Sequence, residues 1–221
     1  MQQEITQYYS DIADEYDNSR FSHAYGQFIH AQELRVFNRQ KLPLPCLSLG
    51  CGTGRMIEFA SMGADISEAM LNVAKQKHSQ KEFVCCDAIQ TPFLPASFQS
   101  VFCLHLFMHL EVNKGIDIIK ETHRILPKGG LFLFDFPSSY RRNFFKQKQK
   151  NWHAGTHYSL EFLQEKLSSE WQIKSYTGVL FFPVHRLPAW LSRAVLPIDN
   201  WLCESFLRKY ASYLMVVLEK K

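Results

Sequence analysis

The sequence predicts an α/β fold with a mostly parallel sheet, and three observations indicate it. Short apolar segments typical of strands alternate along the chain with amphipathic segments typical of helices. The last two expected strands have no clear helix between them, so we expect an antiparallel addition at one edge of the sheet. The length of 221 residues, 46% of them hydrophobic, suits one domain with a full core.

The elements follow from local patterns. Residues 8–40 show apolar side chains at loosely helical spacing, until the prolines of KLPLP end the pattern. Ser67 is expected to cap a helix over SEAMLNVAKQK, and Ser159 to cap one over SLEFLQEKLSS. NKGIDIIKETHRIL reads as an amphipathic helix stopped by PKGG. Between and after these helices, the segments expected to form strands are CLSL, EFVCCD, SVFCLHL, LFLFDF, WQIKSYTGVLFF and ASYLMVVLEK.

Composition excludes several classes of protein. The net charge of +4 is too small for the basic surface expected of a nucleic-acid-binding protein. No apolar run approaches the roughly 20 residues of a membrane span, and the polar, acidic start does not resemble a signal peptide. We therefore expect a cytoplasmic protein. Its six scattered cysteines, with no CxxC pair, indicate reduced thiols rather than a metal or redox site.

A glycine-rich turn follows the CLSL strand. Gly50, Gly52 and Gly54 occupy alternate positions, giving GxGxG rather than the GxGxxG of dinucleotide-binding proteins. Glycines here would let the backbone approach a ligand closely, and a helix start offers unpaired N–H groups. The alternative is a strand-to-helix turn without a ligand.

Two carboxylates at later strand ends favour a nucleotide site. Asp65 ends the expected second strand, where an acid can accept both hydroxyls of a ribose. Asp87 follows the third strand, where a carboxylate can receive an adenine amino group. The carboxyl ends of parallel strands meet at one sheet edge, so we expect these groups to converge there.

With these residues, the sequence resembles the class I S-adenosylmethionine (SAM)-dependent methyltransferases, especially the group related to the ubiquinone and menaquinone methyltransferases. The motifs that carry the resemblance are YYSDIADEYDNSR, LSLGCGTGR, GADISEAMLNVAK, CDAIQTPFLPASF, LHLFMHL and HRILPKGG. It implies a Rossmann-like, seven-stranded sheet with helices on both faces and an antiparallel last strand. It also implies SAM as cofactor, with S-adenosylhomocysteine as its product.

The resemblance implies cofactor contacts residue by residue. The three glycines would flank the methionyl part, Asp65 would hold the ribose, and Ile66 would lie against the adenine. Asp87 and Ala88 would recognise the adenine edge. His105 would lie beside the methionyl end, and Tyr16 and Arg20, on the N-terminal arm over residues 1–40, would close over the cofactor. For Arg20 an ordinary surface charge is the alternative.

Three features depart from the family pattern. Ser48 and Gln99 stand where the family usually has acids, which removes negative charge near a cationic cofactor. Residues 55–61 leave too little chain for an ordinary crossover helix, which usually needs about a dozen residues. We expect a truncated first helix and a short second strand over residues 62–66.

The candidate bases are histidines. His109 occupies a position where many relatives carry a histidine near the transferable methyl group, and a structural histidine is the alternative. His157 belongs to the aromatic stretch NWHAGTHYS, which could face the acceptor or form a packed turn. Neither His105 nor His109 lies in an HExxH pattern, so no metal site is expected.

The connection between the last two strands is long and apolar. We expect a helical cap over residues 183–208, with Phe182, His185, Trp190 and Trp201 lining an acceptor pocket or contacting a membrane surface. The alternative is that these residues only pack on the sheet. The basic segment YRRNFFKQKQK is expected to be a solvated loop.

The whole chain, residues 1–221, is thus expected to form one methyltransferase domain. Its partner would be a small apolar or aromatic acceptor, with no nucleic acid and possible peripheral membrane contact through the cap. A non-catalytic SAM-binding protein is the alternative, and a nicotinamide oxidoreductase is disfavoured by the glycine spacing. The sequence does not indicate an oligomeric state.

Overall fold

The computed structural model describes residues 2–144 and 158–221. Within them, seven strands form one sheet in the order β3-β2-β1-β4-β5-β7-β6. The strands are β1 (Cys46–Leu49), β2 (Met62–Asp65), β3 (Glu82–Cys85), β4 (Ser100–Cys103), β5 (Leu131–Pro137), β6 (Trp171–Val179) and β7 (Tyr213–Lys220). β7 is antiparallel to both of its neighbours, and all the pairings among the first five strands are parallel. The predicted fold class is confirmed.

The helices lie on both faces of the sheet. In chain order they are α1 (Gln2–Asp11), α2 (Tyr16–Phe21), α3 (Ala24–Gln40), α4 (Glu68–Lys77), α5 (Val112–Ile125), α6 (Ser139–Phe144), α7 (Leu160–Leu167) and α8 (Ala189–Glu204). Side chains of β5 alternate between two cores. Phe132 and Phe134 pack with α5 and α7 on one face, and Leu133 packs with α3 on the other.

The predicted helix caps are present. The Ser67 hydroxyl accepts a hydrogen bond from the Met70 amide at 3.3 Å, and Ser159 accepts one from Phe162 at 3.0 Å. Each bond satisfies one of the amides left unpaired at a helix start.

The crossover between β1 and β2 is as short as its sequence predicts. A single 3₁₀ turn, Ile57–Phe59, replaces a full α-helix. Met56, Ile57 and Ala60 are buried, so the turn still covers the sheet. β2 needs only four residues to pair with both β1 and β3.

The cap between β6 and β7 is the helix α8, and it is fixed to α3. The buried carboxylate of Asp199 accepts hydrogen bonds from the Phe181 and Phe182 amides, at 3.0 and 2.7 Å, and from Gln32 Nε2 at 2.8 Å. Gln32 Oε1 in turn accepts from the Leu180 amide at 2.8 Å. Since buried polar groups are costly to separate, the cap is an integral part of the fold.

Candidate active site

The glycine turn lies where the strand order reverses, between β1 and β4, the usual ligand-binding crevice of open α/β sheets. Gly50, Gly52 and Gly54 all have positive φ values, of 68°, 53° and 80°. Residues that carry a side chain rarely adopt this left-handed backbone conformation, so the turn requires glycine at all three positions.

Asp65, at the end of β2, fixes the turn. Its Oδ2 accepts a hydrogen bond from the Gly52 amide at 2.8 Å, and its Oδ1 accepts one from the Ser67 amide at 2.9 Å. Burial raises the pKa of the carboxyl group, and these amide bonds oppose the rise. The carboxylate therefore links the glycine turn to the start of α4.

Most of the predicted cofactor residues line two adjoining clefts, whereas Gly54 lines neither and instead packs against α4. The first, which we call the carboxylate cleft, brings together Gly50, Asp65, Ile66, Asp87 and Ala88, with His109 at its border. The second, the glycine cleft, is lined by residues of the turn and its surroundings: Ser48, Gly50, Gly52, Thr53, Arg55, Tyr16 and His105. Gly50 lines both, so the two clefts adjoin at the glycine turn, and together we call them the groove.

The N-terminal arm covers this groove. The Thr53 hydroxyl donates to Asp17 Oδ1 at 2.6 Å, and Lys77 of α4 forms an ion pair with the same carboxylate. The Arg55 guanidinium lies 4.1 Å from the centre of the Phe21 ring, a cation–π contact. These contacts attach α2 to the glycine turn and to α4.

A cavity of about 380 Å³, which we call the aromatic cavity, lies beside the groove. Its lining includes Tyr9, Tyr16, Arg20, Tyr25, His105, His109 and Tyr213. Tyr16 and His105 also border the glycine cleft, and His109 also borders the carboxylate cleft. The aromatic cavity therefore adjoins both clefts of the groove through these shared side chains.

His109 is positioned by the arm. It ends a 3₁₀ turn, Phe107–His109, after β4, and its Nε2 lies 2.9 Å from the Tyr9 hydroxyl. His157 and its neighbours Trp152 and His153 lie outside the described residues.

Arg20 donates a hydrogen bond to the Tyr8 hydroxyl at 3.1 Å and lines the aromatic cavity. The side chain is also exposed to solvent, so its closure over the cofactor stays a prediction and an ordinary surface charge stays the alternative.

A buried charge cluster supports the groove from below. His105 Nε2 lies 2.6 Å from Glu33 Oε1, and Arg55 lies 2.6 Å from Glu33 Oε2. Asp135 Oδ1 accepts from the His105 amide at 2.6 Å. His105 has a φ of 59°, an uncommon value for a side-chain-bearing residue.

The charges in this cluster shift one another's pKa values. Burial alone would raise the pKa of Glu33, but the positive charges of His105 and Arg55 outweigh it and lower that pKa to about 2. Burial alone would lower the pKa of His105, but Glu33 and Asp135 raise it above its ordinary value of 6.5. The cluster therefore favours an ionised Glu33 and a protonated His105.

Sequence reasoning missed Glu33, Asp135 and Tyr9. Two of them carry a readable signal: Glu33 lies on the apolar face of α3 with Ile29 and Phe37, and Asp135 interrupts the apolar run LFLFDF. A buried carboxylate in either place requires a partner. The partner that Glu33 and Asp135 share, His105, could not be identified from the sequence, because it follows a different strand and is distant from both along the chain.

The prediction that Trp190 and Trp201 line an acceptor pocket is wrong. Trp190 and Trp201 are 73% and 65% exposed on the outer face of α8 and line no cavity described here. Phe182 and His185 do line a cavity, of about 790 Å³, beneath the cap. Helical periodicity places Trp190 and Trp201 on one side of α8, and packing against α3 turned the other side inward.

No group of three or more His, Cys, Asp and Glu side chains in residues 2–144 and 158–221 is arranged to hold a metal ion. The helices in these ranges all fall short of the length and apolar character that crossing a membrane requires.

Residues 47–134, which contain the glycine turn, Asp65 and Asp87, match the family described as "Methyltransferase domain", and the order of the seven strands agrees with the class I SAM-dependent methyltransferase fold. The chain is 24% identical to an uncharacterized protein of Methanocaldococcus jannaschii, over 98% of this chain and 90% of that protein. It is 30% identical to the putative methyltransferase YqeM of Bacillus subtilis, over 60% of this chain and 57% of that protein.

Among solved structures, a SAM-dependent methyltransferase of Thermotoga maritima, described as a possible histamine N-methyltransferase, has the same fold. Its TM-score is 0.70 at 19% identity, over 96% of this chain and 98% of that chain. The closer relationship to the ubiquinone and menaquinone group stays a prediction.

Proposed function

We propose that this protein is a methyltransferase that moves a methyl group from SAM to a small apolar or aromatic acceptor. The observation that carries the proposal is the convergence of the glycine turn, Asp65 and Asp87 on one groove that shares His105 and His109 with the aromatic cavity. Donor and acceptor could then bind side by side, which is the main requirement of a direct transfer.

The carboxylate cleft suits an adenosine. Asp65 keeps acceptor capacity beyond its two amide bonds, because each carboxylate oxygen can accept more than one hydrogen bond, so it can receive the ribose hydroxyls. Ile66 would pack against the adenine ring. Asp87 and Ala88 would contact the adenine edge, since both line the cleft.

The glycine cleft suits the methionyl part. Gly50 and Gly52 line it and allow close approach of the backbone, and Tyr16 of the arm and His105 also line it. Arg20 lines the adjoining aromatic cavity. SAM, when bound, supplies an electrophilic methyl group on a sulfonium. Aromatic faces of the arm would attract that positive charge, and the arm would exclude water.

His109 is our candidate general base. Its position between the groove and the aromatic cavity would let it accept a proton from an acceptor hydroxyl or amine. The Tyr9 hydroxyl, 2.9 Å from Nε2, would orient the ring. His157 stays a second candidate base from the sequence.

A non-catalytic SAM-binding protein is the second candidate. The observation that favours it is Ser48, which is buried in β1 and lines the glycine cleft at a position where the family resemblance implies an acid. A neutral residue there would weaken attraction for a cationic cofactor.

Calorimetry tests cofactor binding. Asp65→Ala should bind both SAM and S-adenosylhomocysteine at least about tenfold more weakly than wild type, because charge-assisted hydrogen bonds to the ribose are lost. Asp117→Ala, which removes an exposed carboxylate on α5, should bind as wild type does. NADH should not bind. Unchanged SAM affinity in a folded Asp65→Ala variant would refute the ribose assignment.

Product formation separates the two candidates. We expect S-adenosylhomocysteine to accumulate when the protein and SAM are incubated with a panel of phenols, quinols and aromatic amines, including histamine. Tight SAM binding with no turnover across the panel and a lipid extract would favour the non-catalytic protein.

A further inference from the structure

The cavity of about 790 Å³ beneath the cap has a distinct composition, and we call it the arginine cavity. Its walls come from α6, from the segment after β6 and from the segment before β7. Six aromatic side chains contribute to its wall: Tyr25, Phe144, Phe181, Phe182, Tyr210 and Tyr213. An apolar or aromatic body would be well packed there.

Three arginines, Arg141, Arg142 and Arg186, line the same cavity, and no Asp or Glu is among its described lining residues. A fourth cation, Lys209, lies 5.4 Å from the centre of the Tyr210 ring. The nearby carboxylate of Asp199 is buried behind the wall, where it accepts the Phe181 and Phe182 amides. The cavity therefore presents positive charge inside an aromatic wall.

Backbone carbonyl groups hold Arg141 at the wall of the cavity. Arg141 donates to the backbone carbonyl oxygens of Phe181 and Tyr210, at 2.8 and 3.0 Å, which fixes its guanidinium in place. Burial lowers the pKa of Arg141, and also that of Arg142. Because both guanidinium groups line the cavity and are partly shielded from water, an anion placed beside them would be stabilised.

The arginine cavity and the aromatic cavity are adjacent. Tyr25 and Tyr213 line both, one from α3 and the other from β7. One end of a ligand could lie beside the arginines while the other end passes the tyrosines toward His109.

We infer that the arginine cavity holds the anionic end of the methyl acceptor, a carboxylate or phosphate joined to an aromatic or aliphatic body. The inference rests on the proposed function, because the adjoining groove must hold SAM for this ligand to be an acceptor. The three arginines, with no Asp or Glu among the lining residues that the structure describes, select the charge, and the aromatic wall selects the body.

Matched pairs of ligands test the inference. Calorimetry is carried out with 2-naphthoate against 2-naphthamide, and with dodecanoate against dodecanamide, with and without S-adenosylhomocysteine. Within each pair only the charge changes. We expect the acid of at least one pair to bind about tenfold more tightly than its amide. The pair that shows this preference distinguishes an aromatic body from a lipid-like chain.

Substitutions test whether the preference for the acid over its amide arises in the arginine cavity. Arg142→Gln and Arg186→Gln should each reduce it several-fold, and Phe182→Ala should weaken acid and amide alike. Arg193→Gln, which removes an exposed arginine of α8 outside the cavity, should have no effect. SAM affinity should be the same in all four variants.

Equal affinity of acid and amide in both pairs would overturn the inference, and so would a preference that survives both arginine substitutions. Because naphthoate and dodecanoate binding is measured separately from SAM binding, failure of the proposed function is distinguishable. A protein that prefers the acids but does not bind SAM would retain the anion site and lose the assignment of its ligand as a methyl acceptor.

Discussion

At the scale of single residues, backbone conformation dictates the glycine turn. Gly52 and Gly54 both have positive φ, but their surroundings differ. A Cβ at Gly52 would meet no atom within 4 Å, whereas one at Gly54 would lie 3.0 Å from the His78 ring and 3.3 Å from Ala74 Cβ. The first glycine is required by conformation alone, and the second also by the close approach of α4.

This difference gives a matched pair of variants. Gly52→Ala should lower the free energy of unfolding by about 1–2 kcal/mol, the cost of a left-handed L-residue. Gly54→Ala should cost roughly 1 kcal/mol more, because its methyl group also crowds α4. Urea unfolding of both variants measures the difference, and equal losses would contradict the packing argument.

At the scale of elements, polar side chains attach the arm to the site. Asp17 of α2 accepts from Thr53 of the glycine turn and pairs with Lys77 of α4. Tyr9 of α1 contacts His109. Because Tyr16 and Phe21 of α2 line the glycine cleft, these contacts hold that wall of the groove in place.

Asp17→Asn should therefore weaken the attachment of the arm. We expect several-fold weaker SAM binding and faster amide hydrogen exchange in α1 and α2, because the ion pair with Lys77 is lost. Asp14→Asn, in the same arm and exposed, is the control and should leave both properties unchanged. An unchanged exchange rate in Asp17→Asn would show that other contacts hold the arm.

At the scale of the whole molecule, the buried charge cluster joins distant parts of the chain. Glu33 comes from α3, Arg55 follows the glycine turn, His105 follows β4 and Asp135 lies in β5. The cluster ties the helical layer to the sheet directly below the proposed methionyl site. Its protonation should therefore couple stability to pH.

The sign follows from the pKa of His105, which folding raises above 6.5. Its contribution to stability is full below pH 6.5 and is lost as the pH rises through the raised value. The difference in unfolding free energy between wild type and His105→Asn should thus shrink with rising pH. Urea unfolding from pH 5.5 to 9 and an NMR titration of His105 in the wild type measure it.

His123 is the control with the opposite sign. Burial and the nearby Lys220 lower its pKa, so the wild-type advantage over His123→Asn should grow as the pH rises through the 6.5 region. A wild-type advantage over His105→Asn that grew with pH would contradict the assignment of a protonated His105.

Much of this architecture could be predicted because the signals are local. The cap at Ser67 and the four-residue strand β2 depend on a few neighbouring residues. The positions of Asp65 and Asp87 follow from the rule that parallel strands end at one edge. The outward orientation of Trp190 and Trp201 could not be predicted, because the side of α8 that packs inward carries the polar residues Ser192 and Asp199, which hydrophobicity does not identify as buried.

The sequence by itself determined the succession of strands and helices along the chain, the glycine turn and the positions of the two carboxylates. Each of these depends on local backbone conformation or on where a strand ends. Only the tertiary structure decided the partners of Glu33 and Asp135, the contact of Tyr9 with His109 and the gathering of arginines beneath the cap. Those contacts join residues far apart in the chain, and their positions depend on how the helices pack on the sheet, which local periodicity does not specify.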